Sequence, residues 1–204
     1  SSAASDVYKR QIESRDGSTG LHVKNTQNYV QILTKALREK GMYPDILDHN
    51  YELNTVKASV LHDIGKIKTP DAILLKPGRL TDEEFEVMKQ HTVAGCEIID
   101  RIIGNVEHEE YVDIARKIAR YHHERWDGTG YPDGLSGEEI PLCARIMALA
   151  DVFDALYQDR CYKKAIRPAS KVFEIIKENS GSQFDPNLTE IFLELQREIT
   201  DISE

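Results

Sequence analysis

The amino-acid sequence predicts an all-α protein, a compact bundle of about seven or eight helices. Apolar residues recur at helical spacing along most of the chain, as Val30, Leu33 and Leu37 do in the segment 21–40. No segment alternates apolar and polar residues for long enough to indicate a strand, and the chain has no internal repeat. The pattern therefore favours helices throughout.

Residues that start and stop helices divide the chain further. Thr81 and Glu84 match a capping box, in which each side chain accepts a backbone N–H of the first turn. Pro141, Pro168 and Pro186 suit the first turn of a helix, where the missing N–H is not needed. The other helices are predicted at about 53–65, 81–103, 109–123, 141–157, 168–180 and from 186 onward, with a loop dense in turn residues at 127–134.

Composition and charge limit the possible partners. With 204 residues, of which 40% are hydrophobic, the chain is long enough for one domain with a substantial core. The net charge of -9 is opposite in sign to that of a typical nucleic-acid binder, so no nucleic-acid polymer is expected. An anionic substrate would then need a local cationic site, which bound metal ions supply best.

The sequence predicts neither a membrane span nor a signal peptide, and it predicts one domain. No apolar run approaches the roughly 20 residues that cross a bilayer, and no segment resembles a signal peptide. We therefore expect a cytoplasmic location and no membrane contact for this segment. Residues 1–15 are predicted to be a disordered linker or a cloning remnant, and residues 16–204 to form the domain. The three cysteines are far apart and in no CxxC pair, which argues against disulfides and thiolate metal sites.

Histidine and aspartate residues on separate predicted helices form the main functional signal. His62 and Asp63 are adjacent near one helix end, and His122 and His123 are adjacent near another. A lone histidine on a helix is more often structural than a ligand. Helical bundles, however, build metal sites from such side chains on facing helices. The candidate metal ligands are His22, His62, Asp63, His91, His122, His123 and Asp151.

The number and type of these side chains indicate two metal ions. Imidazole and carboxylate ligands without thiolate suit iron, manganese or zinc. Asp63 is predicted to bridge the ions, because its neighbour His62 can serve one ion while Asp63 reaches both. Two ions about 3.5–4 Å apart can hold a phosphate, with a bridging hydroxide as the nucleophile. His122 and His123 point roughly 100° apart on a helix, so they converge on one ion only if the helix ends or distorts there.

Several motifs resemble those of a known family. The pair His62-Asp63, followed by Ile-Gly-Lys, resembles the motif of the HD phosphohydrolase superfamily. The segment 122–132 (HHERWDGTGYP) resembles the signature of its HD-GYP subfamily, and this stretch is far more specific than the HD pair alone. The resemblance covers about residues 20–193. Further similar segments follow in order at 70–74, 76–78, 88–92, 140–142, 150–156 and 184–186.

This resemblance implies an HD-domain helical bundle with a binuclear or trinuclear site, commonly of iron or manganese. It implies a phosphodiesterase that hydrolyses cyclic di-GMP to linear pGpG, which some members degrade further to GMP. All seven candidate ligands fall on the family's metal-ligand positions. Three-metal members carry a glutamate where this chain has Ser18, so two ions are expected and a third is not. A sensory or receiver domain upstream in the full-length protein is also implied.

The resemblance implies a catalytic role for Lys66, beside the bridging role predicted for Asp63. Lys66 matches a lysine that contacts the scissile phosphate. It lies four residues after His62, and in a continuing helix this spacing would place both side chains on the same face. An exposed lysine beyond the end of a helix is the plain alternative.

Four further residues are candidates for substrate binding. Asp154, Arg160 and Lys163 fall where family members contact substrate, although Asp154 could instead hold a ligand histidine. Tyr131, in the glycine-rich loop, could stack on a substrate base or dock a partner domain. A purely structural turn remains the alternative for this loop.

Two other functions stay open at this point. The same fold and metals could act on another nucleotide or phosphoester, since the sequence does not display the pocket walls. A receptor that binds a cyclic dinucleotide, or an interaction module without turnover, is the second alternative. Complete ligand positions argue against the receptor, because degenerate ones would favour it.

Overall fold

The computed structural model describes residues 20–106, 108–159 and 164–203, and it confirms the all-α class. Within these ranges no strand is present. Arg160, Lys163, Ser18 and the segment 1–15 lie outside the described residues. The α-helices are α1 (Gly20–Glu39), α2 (His49–Ala58), α3 (Asp71–Leu74), α4 (Asp82–Lys89), α5 (His91–Ile103), α6 (Glu109–Tyr121), α7 (Leu142–Tyr157), α8 (Ala169–Glu178), α9 (Pro186–Glu194) and α10 (Gln196–Ser203). Short 3-10 helices cover Ser59–Leu61, Ile64–Lys68 and Gly137–Glu139.

Helix α7 forms the centre of the bundle. Almost all of its residues are buried, as expected for a helix that is apolar around most of its circumference. It packs against α1, α6 and α8. Phe153 in its C-terminal half contacts aromatic rings from α1, α8 and α9. Because α7 is held on several sides, Asp151, one of its few partly exposed residues, has a fixed position in the bundle.

The segment that carries His62 and Asp63 packs closely against α5. These two residues lie between the 3-10 helices Ser59–Leu61 and Ile64–Lys68, and the second of these helices rests on α5. A Cβ atom on Gly65 would lie 1.8 Å from the carbonyl oxygen of His91, so only glycine allows this approach. The close contact brings Asp63 near the start of α5.

Several predicted helices are divided in the structure. The capping box of Thr81 and Glu84 is confirmed, but the helix that it starts is interrupted at Gln90, between α4 and α5. The predicted helix 53–65 gives way to 3-10 turns after Ala58. The last predicted helix is split at Leu195, between α9 and α10. Hydrophobic periodicity does not register such breaks, because the apolar positions remain nearly in phase across them.

No helix in the described part of the chain combines the length and the apolar character that a membrane crossing requires.

Candidate metal centre

The structure brings the seven candidate ligands together in two groups that share one carboxylate. In each group, one ligand-type atom per residue lies within 4.8 Å of the others. The shared residue is Asp63, which is the arrangement that a bridging carboxylate requires. We call the two sets the Asp151 group (His22, His62, Asp63 and Asp151) and the His123 group (Asp63, His91, His122 and His123).

Breaks between helices supply most of these side chains. His22 lies in the first turn of α1, His91 is the first residue of α5, and Asp151 lies within α7. The predicted end of a helix at His122 and His123 is confirmed, since α6 stops at Tyr121 and His122 is its C-cap. The two consecutive imidazoles can therefore converge, with ring centroids 4.1 Å apart.

Backbone carbonyls fix the orientation of three histidines. The Nδ1–H groups of His62, His91 and His122 donate to carbonyl oxygens three or four residues earlier, at distances of 2.7, 2.7 and 2.8 Å. Because a carbonyl only accepts, Nδ1 carries a proton in each ring, and Nε2 is the nitrogen whose lone pair would bind a metal ion. Metal-binding histidines commonly have this arrangement of the outer nitrogen.

The atoms that point into the centre have the features of metal ligands. The Nε2 atoms of His62, His91 and His122 and the Oδ1 atom of Asp63 are buried without a hydrogen-bond partner among the described residues. Buried polar atoms are almost always paired, so four such atoms aimed at one region need an explanation. The donor set fits divalent ions of the iron, manganese or zinc type. The cluster therefore indicates divalent metal binding.

The acids of the centre are held as carboxylates. Burial alone would raise the pKa of Asp63, but Lys66 and His62 outweigh burial and hold this pKa well below its usual range. Burial likewise opposes ionisation of Asp151, and the His22 and His62 imidazoles, whose Nε2 atoms lie 3.2 and 3.4 Å from its Oδ1, hold its pKa well below the usual range. Both side chains are thus ready to act as anionic ligands.

The imidazoles differ between the two groups. Burial opposes protonation of His62, but the Asp63 and Asp151 carboxylates raise its pKa well above the usual value. In the His123 group, burial lowers the pKa of His91, and burial together with the neighbouring imidazoles lowers that of His123 much further. His91 and His123 are therefore neutral imidazoles, which are the form that binds metal.

Lys66 lies at the centre, but the backbone conformation that places it there differs from the predicted one. Its Nζ lies 3.1 Å from Oδ2 of Asp63, and its side chain is mostly buried. The expectation of a continuing α-helix from His62 is wrong, because the backbone of Asp63 leaves helical geometry (φ -103°, ψ 12°) and a 3-10 helix follows. The three-residue spacing of that turn aligns Lys66 with Asp63 instead.

The glycine-rich loop closes over the end of α6. Buried Glu124 accepts backbone N–H groups from residues 133, 134 and 135, a role that the sequence did not reveal. A Cβ atom on Gly130 would lie 2.5 Å from the carbonyl oxygen of His123, so the loop requires glycine there. The Tyr131 ring stacks on the His123 ring, with centroids 4.9 Å apart and 16° between the planes.

The structure changes the prediction for two substrate candidates. Asp154 is 1% exposed, and its carboxylate accepts hydrogen bonds from His22 and Asn25, so it lies behind the centre and not in a position to contact substrate. Tyr131 uses one ring face on His123, which favours a structural role over base stacking by that face. Arg160 and Lys163 stay predictions outside the described residues.

Comparisons with known proteins agree with this fold and centre. Residues 21–188 match the family model described as HD domain. A cyclic di-GMP phosphodiesterase of Vibrio cholerae is 46% identical over 194 residues, covering 94% of this chain and 39% of the relative. A cyclic di-GMP phosphodiesterase of Thermotoga maritima is 49% identical over 145 residues, covering 71% of this chain and 38% of the relative. The chain thus spans about two fifths of the length of these relatives.

Solved structures give the same fold. Bd1817 of Bdellovibrio bacteriovorus, described as a HDG"Y"P protein, matches with a TM-score of 0.58 at 18% identity, covering 83% of this chain and 51% of that one. At this identity the likeness concerns the fold alone. Together with the HD pair at His62-Asp63 and the signature at 122–132, these matches show that the chain belongs to the HD domain family, in its HD-GYP branch.

Proposed function

We propose that this chain is the catalytic domain of a phosphodiesterase that uses two divalent metal ions to hydrolyse cyclic di-GMP to linear pGpG. The observation that carries the proposal is the pair of four-residue groups that share Asp63. The names of the relatives support the substrate, since both that were described act on cyclic di-GMP. Because these relatives are much longer than this chain, the activity of the whole protein is part of the proposal.

Iron or manganese is the proposed metal, with zinc as a third option for the same donor set. When bound, two such ions polarise phosphate oxygens and lower the pKa of water toward neutrality, so they supply both electrophile and nucleophile. A third ion is not proposed, because Ser18 stands where a carboxylate would be needed. With two ions, pGpG is the expected product and GMP is not.

The residues of the chain contribute position and charge. Asp63 joins the two groups, and the carbonyl-bound histidines keep their Nε2 atoms aimed at the centre without reorganisation. Lys66, 3.1 Å from Asp63, can donate to a non-bridging oxygen of the scissile phosphate, where negative charge increases in the transition state. Arg160 and Lys163 are proposed to hold the second phosphate or a guanine edge.

The surroundings of the domain remain proposals as well. An upstream sensory or receiver domain is consistent with the greater length of the relatives. The outer surface of the loop 127–134 is the proposed docking site for a partner domain, although Tyr131 itself faces His123. The expected cytoplasmic location fits a substrate that is an intracellular nucleotide.

The direct test is turnover by protein purified without oxygen and supplied with Mn²⁺ or Fe²⁺. We expect cyclic di-GMP to be converted to pGpG, and chelation to abolish the reaction. Asp113→Asn is the control, because this partly exposed carboxylate pairs with Lys117 and lies outside both groups. Metal-loaded protein that binds cyclic di-GMP without converting it would support the receptor function instead.

Substrate choice needs a separate comparison. The same protein is assayed with 3′3′-cyclic GMP-AMP and with bis-p-nitrophenyl phosphate, at equal concentration and equal metal loading. A higher kcat/KM for cyclic di-GMP than for both others is the expected result. A preference for either of the others would replace the proposed substrate while leaving the metal-dependent chemistry in place.

A further inference from the structure

His22 is held in a different way from the histidines that donate to their own backbone. Its Nδ1 lies 2.5 Å from Oδ2 of Asp154, on another helix, and its Nε2 lies 3.2 Å from Oδ1 of Asp151. His62, His91 and His122 instead donate to carbonyl groups three or four residues earlier. The orientation of His22 therefore depends on a tertiary contact between α1 and α7.

Asp154 is built into the interior as a carboxylate with several partners. It is 1% exposed, and Asn25 Nδ2 donates to its Oδ1 at 3.2 Å. The hydroxyl of the fully buried Tyr29 lies 3.4 Å from the same oxygen. Burying the oxygens of such a side chain is costly unless they are hydrogen-bonded, and these contacts meet that need. Enclosed by these contacts, the side chain of Asp154 is not open to a substrate.

We propose that Asp154 is a positioning residue that holds His22 as a metal ligand, and that Asn25 and Tyr29 hold Asp154. This inference rests on the metal centre of the proposed function. A carboxylate on the outer nitrogen of a metal-binding histidine fixes its tautomer and ring orientation and makes the other nitrogen a stronger donor. The affinity of the Asp151 group for its ion thus depends on a residue that contacts neither ion nor substrate.

The hydrogen-bonded chain extends to the last helix. Tyr29 Oη lies 2.6 Å from Oγ of Ser203 at the end of α10, and Ser203 is also 2.8 Å from the carbonyl oxygen of Ile199. Each hydroxyl has one proton, so Tyr29 can donate fully to Asp154 only when Ser203 donates to Tyr29 and gives up Ile199. Ser203 in the C-terminal helix therefore competes with Asp154 for the Tyr29 proton. For this reason we expect Tyr29 to contribute less to metal affinity than Asp154 does.

The test is a double-mutant cycle read out by metal affinity. Mn²⁺ binding to metal-stripped protein is measured for the wild type, Asp154→Ala, His22→Ala and the double variant. We expect Asp154→Ala to weaken one of the two ions by about 10- to 100-fold, the usual effect of such outer partners. The same substitution should have no further effect once His22 is alanine, because Asp154 acts through that ring. Equal weakening in both backgrounds, or none in the wild type, would overturn the inference.

Three further measurements separate a positioning role of Asp154 from misfolding, from the loss of an unrelated hydroxyl group and from a substrate contact. Asp154→Asn preserves the shape of the side chain and replaces Asp154→Ala if the alanine variant does not fold. In the same cycle we expect it to lose less Mn²⁺ affinity than the alanine variant. Tyr29→Phe should weaken the same ion by a few fold, whereas Tyr51→Phe, which removes a hydroxyl bound to Cys143 N, should leave it unchanged. At saturating Mn²⁺ the KM of Asp154→Asn for cyclic di-GMP should equal that of the wild type, and a raised KM would favour the substrate contact instead. Wild-type protein that binds no Mn²⁺ would contradict both this inference and the proposed function.

Discussion

The two groups of the metal centre share Asp63 but differ in charge and in support. The Asp151 group has two carboxylates and two imidazoles. Although burial opposes protonation, Asp63 and Asp151 raise the pKa of His62 well above its usual value, and Asp151 together with Asp154 raises that of His22 to about 8. The His123 group has one carboxylate and three imidazoles, two of which have lowered pKa values. One group is built largely on packed helices, and the other on a helix end covered by a loop.

This difference determines what each group requires before it can bind a cation. Without metal at neutral pH, the imidazoles of the Asp151 group are protonated and paired with carboxylates, so an ion must displace protons there. The lowered pKa values of His91 and His123 leave those rings neutral, so an ion needs no such exchange. Neighbouring residues thus raise imidazole pKa values in one donor set and lower them in a similar set a few ångströms away.

The largest expected effect comes from the residue that the two groups share. Asp63→Ala removes the bridging oxygen atoms and one negative charge from both groups at once. We expect loss of both ions by elemental analysis and turnover reduced to background. Full metal content in a folded Asp63→Ala protein would show that the groups do not depend on a common ligand.

Lys66→Met separates chemistry from metal binding. This variant keeps the length of the side chain but removes the charge beside Asp63. We expect metal content to stay at the wild-type value and kcat to fall by about 10²-fold, as for loss of one preorganised donor. An unchanged kcat, measured at saturating metal and substrate, would refute a role at the phosphate.

Tyr131→Ala tests the support of the His123 group. It removes the ring that stacks on His123, whereas Tyr131→Phe keeps the ring and removes only the hydroxyl. We expect the alanine variant to bind one Mn²⁺ ion about 10-fold more weakly, and the phenylalanine variant to lose less. If the two variants bind Mn²⁺ equally well, the stacking does not orient the ligand.

The last expected effect concerns the stability of metal-free protein. His22 has a pKa raised from 6.5 to about 8, so its contribution is fully present below pH 6.5 and is lost as the pH rises through 8. The loss amounts to about 2 kcal/mol at most. Urea unfolding with EDTA at pH 6 and pH 9 measures it, and His22→Ala should lack it.

The other group should show the opposite sign in the same experiment. The pKa of His123 is lowered, so the wild type loses stability as the pH falls below 6.5, and His123→Ala should lose less there. If His22→Ala and His123→Ala change the pH dependence in the same direction, the proposed contrast between the groups is wrong.

Local chemistry made much of this structure predictable. The capping box at Thr81 and the proline in the first helical turn at Pro186 follow from short-range hydrogen bonding and backbone geometry, and the structure has both. Pro141 and Pro168 were predicted in a first turn, but each is the N-cap, one residue before its helix begins. The candidate ligands could be chosen from residue type, because few other roles place imidazoles and carboxylates on so many separate helices.

Tertiary contacts explain what the sequence left open. Periodicity could not show that the chain leaves helical geometry at Asp63, since that turn depends on the approach of Gly65 to α5. The direction of Asp154 depends on where α1 crosses α7, so the sequence allowed either a substrate contact or a ligand partner. The interior position of Tyr29 beside Asp154 gave no signal, because a tyrosine at helical spacing is usually only core.

The most direct test is an anomalous diffraction map of crystals grown with Mn²⁺ and without chelator. Two peaks about 3.5–4 Å apart, one in each group and both within bonding distance of Asp63, are the predicted result. A single peak, or peaks that Asp63 does not contact, would contradict a centre in which one carboxylate joins two cations.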